Sequence, residues 1–330
     1  MKAGGKVIRL EGINKTFRVA RRKSGFGRAV RALLSREYET IHALRNVSFT
    51  IEDGEMVGYI GPNGAGKSTT IKIMCGILTP DSGKCEIDGR TPWRDRIAHV
   101  RNIGVVFGQR SQLWWDVPVG DSFDLIRDIY KVDARQYKRN LDELVTLLDL
   151  AEILQTPTRN LSLGQRMRCE LAASLLHSPK ILFLDEPTIG LDAVSKLAVR
   201  QFIKKLNAEQ GVTIILTTHD MQDIEALTQR ILLIGKGRIL LDGSLEELKK
   251  SSSQRKTIVF EYTGKDPALC EGMTSVEGRE GRLVVSLEPS ICSVSEAIAY
   301  ISAQVEVSDI SVSGISAEEM VAGLYREYHI

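Results

Sequence analysis

The sequence predicts an α/β fold with a largely parallel, buried sheet, followed by a small α+β appendage. Short apolar runs alternate with longer helical patterns up to about residue 245, a rhythm typical of α/β layering. One apolar run leads into a glycine-rich loop that ends in Lys-Ser, a strand–loop–helix arrangement. A polar stretch at 246–255 separates the appendage from the rest of the chain.

The predicted strands follow from the apolar runs in chain order. An alternating run at 6–10 and another at 44–51 precede the main sheet, whose strands are expected at 56–60, 103–107, 181–184, 213–216 and 231–234. A helical block at about 121–154 interrupts this rhythm. In the appendage we expect strands at 257–262, 283–287 and 305–312, and helices at 293–302 and 317–328.

Length and composition are those of a soluble chain with about two domains. The chain has 330 residues, of which 43% are hydrophobic and 26% charged, close to the average for globular proteins. No stretch approaches the ~18 uninterrupted apolar residues of a membrane-spanning helix. The basic N-terminus lacks the apolar segment of a secretory signal. The five cysteines lack metal-site spacing and are expected to be reduced.

The net charge of +2 hides a gradient along the chain. Residues 1–50 carry 12 basic and 3 acidic residues, and residues 256–330 carry 5 basic and 12 acidic residues. The middle segment is balanced. The basic excess is concentrated in an insertion at 18–36 that contains no acid. This gradient predicts that the three segments have different neighbours.

A phosphate-binding loop follows the predicted strand at 56–60. Its residues fit the pattern G-x-x-x-x-G-K-[ST] and are Gly61, Pro62, Asn63, Gly64, Ala65, Gly66, Lys67 and Ser68. Glycines let backbone N–H groups curl around phosphate oxygens. Lys67 supplies a positive charge to the terminal phosphates, and the Ser68 hydroxyl can ligate Mg²⁺. The loop alone does not distinguish an ATPase from a kinase or a GTPase.

Two further strand ends carry the polar residues that phosphate chemistry needs. The run 181–184 ends in Asp185 and Glu186. At the carboxyl end of a central parallel strand, Asp185 can reach the Mg²⁺ held by the loop, and Glu186 is placed to polarise an attacking water. The run 213–216 leads to His219, which we expect at the same edge and within reach of the γ-phosphate.

A third motif is specific enough to indicate a family. The stretch Leu161, Ser162, Leu163, Gly164 and Gln165 closely resembles the LSGGQ signature of ATP-binding cassette (ABC) proteins. The order of the motifs, with Gln109 before the signature and Asp192 after Glu186, is also that of an ABC nucleotide-binding domain. On these motifs the chain is identified as a member of the ABC family.

The resemblance implies an ABC-type P-loop NTPase core at 1–245 with a helical signature subdomain at about 115–175. The polar stretch 246–255 is then a linker, and 256–330 is the small C-terminal α+β domain. ATP and Mg²⁺ are the expected cofactors. The resemblance extends the nucleotide-binding loop to Thr69.

Roles for individual residues come with the same resemblance. The metal ligands would be Ser68, Gln109 and Asp185. Glu186 resembles the general base, and the catalytic set also includes His219, Gln109 and Lys67. Asp192 resembles the D-loop aspartate. The signature residues would close on ATP bound to a second copy of the chain, which predicts a sandwich dimer.

The aromatic residue that stacks on adenine is left open between two candidates. In the family it usually follows the first strand, which favours Phe17, but the insertion leaves Tyr38 as an alternative. For either residue, an ordinary core aromatic is an equal interpretation.

The stretches 106–116 and 161–172 resemble ABC-2-type exporter ATPases, especially the viologen/daunorubicin-exporter-like group. This resemblance implies a separately encoded multi-span permease and a location at the cytoplasmic face of the cell membrane. Import is a weaker variant of the same hypothesis. Trp114 and Trp115 either pack against the permease or lie in the core of the helical block.

The basic insertion either contacts anionic lipid or the permease, or is a solvated loop. The alternative function is a soluble ABC ATPase that acts on nucleic acid or ribosomes, for which the insertion is the best support. Such proteins usually carry two cassettes or a long coiled-coil insertion, so nucleic acid is not the expected partner. The signature argues against a small-molecule kinase.

Overall fold

The structure, a computed structural model, describes residues 5–20, 38–108, 110–218, 220–247, 256–279, 281–288, 290–314 and 325. Gln109, His219, most of the basic insertion, most of the linker and most of the expected helix at 317–328 lie outside these residues. The chain divides into two compact units, Met1–Asp242 and Gly243–Ile330. None of the helices in the described ranges combines the length and apolar character that a membrane crossing requires.

The elements of the first unit follow one another as β1 (Lys6–Ala20), β2 (Tyr38–Glu52), β3 (Met56–Ile60), α1 (Lys67–Met74), β4 (Ser82–Ile87), α2 (Arg96–Val100), β5 (Ile103–Phe107), α3 (Val119–Tyr130), α4 (Ala134–Leu148), α5 (Leu163–Leu175), β6 (Ile181–Asp185), α6 (Ala193–Gln210), β7 (Thr213–Thr217), α7 (Met221–Leu227), β8 (Arg230–Gly235) and β9 (Arg238–Ser244). Two short 3₁₀ turns lie between α4 and α5.

A six-stranded sheet forms the centre of this unit, in the order β5-β6-β7-β3-β8-β9. The pairs from β5 through β8 are parallel, as the apolar runs predict. Every residue of β7 and the first four of β6 are buried, which suits strands covered on both faces. Because these strands are parallel, the residues that follow β3, β6 and β7 meet at one edge of the sheet.

A second, antiparallel sheet has the order β2-β1-β4. Its apolar face shares one hydrophobic core with α1 and the six-stranded sheet. The rings of Phe49 and Tyr59, for example, lie 5.9 Å apart between the two sheets. Burial of side chains of this size contributes about 1.5–3 kcal/mol each. This core holds β2 against the segment that follows β3.

The strand β1 is longer than the sequence predicts. Arg18 and Val19 pair with Thr40 and Glu39, so residues 18–20 of the expected insertion belong to the strand. The apolar alternation stops at residue 10, but β1 continues because its backbone pairs with β2, which needs no apolar side chains. The helical block is confirmed and consists of α3 and α4, followed by α5.

The second unit contains β10 (Lys256–Thr263), β11 (Met273–Arg279), β12 (Arg282–Leu287), α8 (Val294–Ser302) and β13 (Glu306–Gly314). Its antiparallel sheet has the order β11-β12-β10-β13. Side chains from this sheet and from α8 form a separate core around Phe260, Val285 and Ile301. Three of these strands and the helix match the predicted segments, whereas β11 has too few apolar residues to be predicted.

Candidate functional site

The phosphate-binding loop connects β3 to α1 and is shaped by its glycines. Gly66 has a φ of +117°, a conformation that other residues rarely adopt. A Cβ there would lie 2.7 Å from Leu44 Cδ2 and 2.8 Å from the Ala43 carbonyl oxygen. The loop therefore sits directly against β2. No side chain caps the start of α1, so its first backbone amides are available to an anion.

Lys67 folds back over the loop. Its Nζ donates hydrogen bonds to the carbonyl oxygens of Gly61, at 2.5 Å, and Pro62, at 3.2 Å. Burial lowers the pKa of Lys67, and the nearby carboxylates of Glu186 and Asp185 oppose this effect. The ammonium group is thus held among carbonyl oxygens that phosphate oxygens can replace.

Asp185 lies at the end of β6, where the sequence places it opposite the loop. Ser68 Oγ donates to Asp185 Oδ2 at 3.4 Å, and Thr217 at the end of β7 donates to Asp185 Oδ1. The structure therefore brings together a hydroxyl and a carboxylate that are 117 residues apart. One carboxylate and one hydroxyl beside a phosphate-binding loop suit Mg²⁺, which keeps several waters and phosphate oxygens as ligands.

Glu186 follows directly and has a φ of +56°, an uncommon conformation for a residue with a side chain. Its backbone amide donates to the Thr217 carbonyl oxygen at 2.9 Å. Gly108 packs against it: a Cβ at position 108 would lie 2.5 Å from the Glu186 carbonyl oxygen. Gly108 N also donates to the Asp185 carbonyl oxygen at 2.8 Å. The backbone of Glu186 is thus clamped from two neighbouring strands.

These residues line one cavity of about 520 Å³. Sequence reasoning missed several of its residues, namely Ile41, His42, Ala43, Lys72, Ile77, Phe107, Gly108 and Arg110. Of these residues, only Gly108 and Arg110 could have been found from the sequence, because they flank Gln109. Lys72 and Arg110 add two cations, besides Lys67, to a cavity that contains two carboxylates. Such a mixture of charges suits a nucleotide with its metal ion.

Neither of the two candidates for the adenine-stacking aromatic lines this cavity. Phe17 does not line it, whereas its cross-strand neighbour Ile41 does. Lys15 Nζ lies 5.8 Å from the centre of the Phe17 ring. Tyr38 is 53% exposed and does not line the cavity either. Adenine stacking by Phe17 stays a prediction.

The signature residues begin α5. Ser162 Oγ accepts from Gln165 N at 3.2 Å, and Gln165 Oε1 accepts from Ser162 N at 2.9 Å, which forms a capping box. A Cβ on Gly164 would lie 2.5 Å from Ser195 Oγ, so a larger residue here would displace the Ser195 hydroxyl from Asp192. The start of α5 thereby contacts the start of α6.

Asp192 caps α6. Its carboxylate accepts hydrogen bonds from the backbone amide and the hydroxyl of Ser195, both at 2.9 Å, and these bonds lower its pKa. Three apolar side chains near the starts of α5 and α6 are exposed, namely Leu163, Val194 and Leu197. This surface lies at the N-termini of two helices, where phosphate binding is favourable.

Trp114 and Trp115 are 41% and 52% exposed. The interpretation that both rings lie in the core of the helical block is therefore wrong. The core there is formed instead by side chains such as Phe123, Ile126 and Leu144, which the helical periodicity of α3 and α4 directs inward.

The part of the chain that carries this site is similar to known proteins. The family model described as ABC transporter matches residues 44–189. A probable sulfate/thiosulfate import ATP-binding protein of Chlorella vulgaris is 33% identical over 231 residues, 70% of this chain and 96% of that protein. The daunorubicin resistance ATP-binding protein DrrA3 of Streptomyces coeruleorubidus is 32% identical over 231 residues, 70% of this chain and 72% of that protein.

Among solved structures, a dimeric ATP-binding cassette in a post-hydrolysis state, bound to ADP and Pi, superposes with a TM-score of 0.60. It is 27% identical, and the match covers 72% of this chain and 98% of that chain. The α/β core predicted from the apolar runs is confirmed by this likeness.

Proposed function

Because the chain belongs to the family of ABC transporter ATP-binding proteins, we propose that it is the subunit whose ATP hydrolysis drives a membrane transporter. It is an ATPase of that family. One observation carries the assignment of the site: Ser68 lies within hydrogen-bond distance of Asp185 at the edge of the sheet, and Glu186 is the next residue. The phosphate-binding loop with Ser68, the proposed metal ligand Asp185 and the proposed general base Glu186 line one cavity.

Hydrolysis uses the groups of this cavity in fixed roles. The loop amides and Lys67 bind the phosphates, and Lys67 exchanges the Gly61 and Pro62 carbonyls for phosphate oxygens. Mg²⁺, held by Ser68, Asp185 and Gln109, would neutralise charge on those phosphates. The Glu186 carboxylate accepts a proton from the attacking water. The clamped backbone of Glu186 keeps that carboxylate at the same place in each cycle.

A second copy of the chain completes the site. The start of α5 presents the signature residues at a helix N-terminus, a place that suits the γ-phosphate of ATP bound to the other copy. The exposed Val194 and Leu197 beside them supply apolar surface for such an interface. The dimeric assembly of the related cassette supports this arrangement.

The partner in the membrane is a separately encoded multi-span permease of an ABC-2-type exporter, and the chain acts at the cytoplasmic face of the membrane. Support comes from the resemblance of residues 106–116 and 161–172 to that group and from the daunorubicin resistance relative. The exposed indole rings of Trp114 and Trp115 offer an apolar contact for the permease. The basic insertion would face anionic lipid or the permease.

The test is purification of the tagged Glu186→Gln chain from membranes in the presence of ATP and Mg²⁺. We expect a multi-span membrane protein in stoichiometric amount, and its loss when Trp114 and Trp115 are both replaced by serine. Salt-dependent RNA or DNA binding without a membrane protein would contradict the proposal and favour a nucleic-acid-directed ATPase.

A further inference from the structure

A buried ion-pair cluster joins α6 and α7 to the segments that follow β6 and β7. Its centre is Asp223 in α7, a carboxylate that is 0% exposed. Thr188 Oγ1 donates a hydrogen bond to it, Thr218 Oγ1 donates a second at 3.1 Å, and Arg200 Nε donates a third at 2.5 Å. The three donors come from the turn after β6, the loop after β7, and α6. One carboxylate thus joins three separate segments.

A second carboxylate extends the cluster. Asp220 Oδ2 accepts a hydrogen bond from Lys196 Nζ at 2.6 Å and lies 3.5 Å from Arg200 Nη2. Its backbone amide donates to Thr218 Oγ1 at 3.0 Å. Because Lys196 and Arg200 are both in α6, the helix holds the loop after β7 through two cations. Arg200 bridges Asp220 and Asp223.

Three residues of the cluster are close in sequence to the proposed catalytic residues. Thr188 follows Glu186 by two residues, and Thr218 and Asp220 flank His219 in the sequence. In front of the cluster, Thr217 bonds Asp185 and accepts from the Glu186 amide. The ends of β6 and β7 are therefore joined twice, by Thr217 at the edge and by Asp223 behind it.

Stability alone does not account for this arrangement. Removing a carboxylate and a guanidinium from water costs several kcal/mol per ion, and apolar residues of similar volume often stabilise a fold as well or better. A buried ion pair does fix geometry, since each charge must meet its partner in one orientation. The pair at Arg200 and Asp223 therefore has its clearest use in positioning.

We propose that Asp223 and Arg200 are positioning residues that fix the segment of Glu186 relative to that of His219 and couple both to α6. Asp192 caps α6, so the helix that carries Arg200 also reaches the proposed interface with a second copy. This inference rests on the proposed roles of Glu186, His219 and Asp192. It assigns no contact with ATP to the pair itself.

The test replaces the pair by apolar residues, as Arg200→Met/Asp223→Leu, so that no buried charge is left unpaired. We expect the Kd for ATP to stay near its wild-type value and the melting temperature to fall modestly, because the buried hydroxyls of Thr188 and Thr218 lose their acceptor. The kcat should fall about tenfold or more, because small misplacements of catalytic groups have large effects on rate. Wild-type kcat in a folded double variant would overturn the proposal.

A variant that retains the positive charge keeps the test decisive if the double variant does not fold. Arg200→Lys keeps the positive charge but removes the planar guanidinium that contacts Asp220 and Asp223 through separate N–H groups. We expect its kcat to fall about threefold or more with KM for ATP unchanged. An unchanged kcat in this variant would also overturn the proposal.

The matched control is Arg230→Met. Arg230 begins β8 at the opposite edge of the sheet and pairs with Glu55 at 2.9 Å and Asp242 at 2.7 Å. This variant should lose thermal stability without a change in kcat of the folded protein. An equal fall of kcat in the control would show that any lost ion pair slows turnover, against the proposal. Glu186→Gln, assayed in parallel, separates failure of the proposed catalytic site from failure of the positioning pair.

Discussion

Gly108 lies so close to the Glu186 peptide that a Cβ at position 108 would be 2.5 Å from the Glu186 carbonyl oxygen. The clash is with backbone, so no side-chain rotation relieves it. Glu186 already has an uncommon positive φ. The peptide group that joins it to Asp185 donates a hydrogen bond to the Thr217 carbonyl oxygen and accepts one from Gly108 N. A change at position 108 must therefore move the backbone that carries the general base.

Gly108→Ala should lower kcat about tenfold or more with little change in the Kd for ATP, because the loop amides and Lys67 are not displaced. Steady-state hydrolysis and equilibrium ATP binding measure the two quantities. Gly120→Ala is the control, since a Cβ there would meet only the Leu154 carbonyl oxygen at 3.4 Å. Equal kcat in the two variants would refute the role of the close approach.

Val194→Glu should abolish ATP-dependent dimerisation in the Glu186→Gln background, because it places a charge in the proposed interface next to Asp192. Light scattering with and without ATP measures the mass. Ile97→Glu is a matched control, since Val194 and Ile97 are both 77% exposed. A dimer that persists in the Val194 variant would place the interface elsewhere.

We expect the protein to lose stability in mild acid because of the buried His177. Burial lowers its pKa to about 4, opposed by the hydrogen bond with the Ile103 carbonyl oxygen at 2.9 Å. Above pH 6.5 the ring is neutral in both states. As the pH falls from 6.5 towards 4, the unfolded chain gains a proton that the folded chain does not, so the free energy of unfolding decreases by up to about 3 kcal/mol.

The measurement is denaturant unfolding of the wild type and of His177→Gln between pH 7 and pH 4. The difference in unfolding free energy between the two proteins should shrink across this window, because glutamine does not titrate. A difference that stays constant with pH would show that His177 does not cause the loss.

The parts of the site that sequence reasoning found are local motifs. The phosphate loop, Asp185 and Glu186 each follow a continuous apolar run, so their place at one edge of a parallel sheet follows from strand direction alone. The strands β4, β9 and β11 were missed because they are polar or contain glycine. The strand β4 also pairs with the distant β1.

Other residues could not be found because their importance arises from contacts between remote segments. Ile41 and His42 reach the cavity only because β2 packs beside the loop. Arg200 and Asp223 are ordinary helix residues until α6 and α7 bring them together. Periodicity predicts which face of a helix is buried, but it does not predict which buried polar residues meet.

The most direct test of the proposed general base compares ATP hydrolysis by the Glu186→Gln variant with that of the wild type at saturating ATP and Mg²⁺. Glutamine preserves the shape of the side chain but cannot accept the proton of the attacking water. We predict that kcat falls about 100-fold or more, while the Kd for ATP stays within about threefold because Lys67 and the loop are unchanged. Turnover at the wild-type rate would contradict the assignment of Glu186 as the general base.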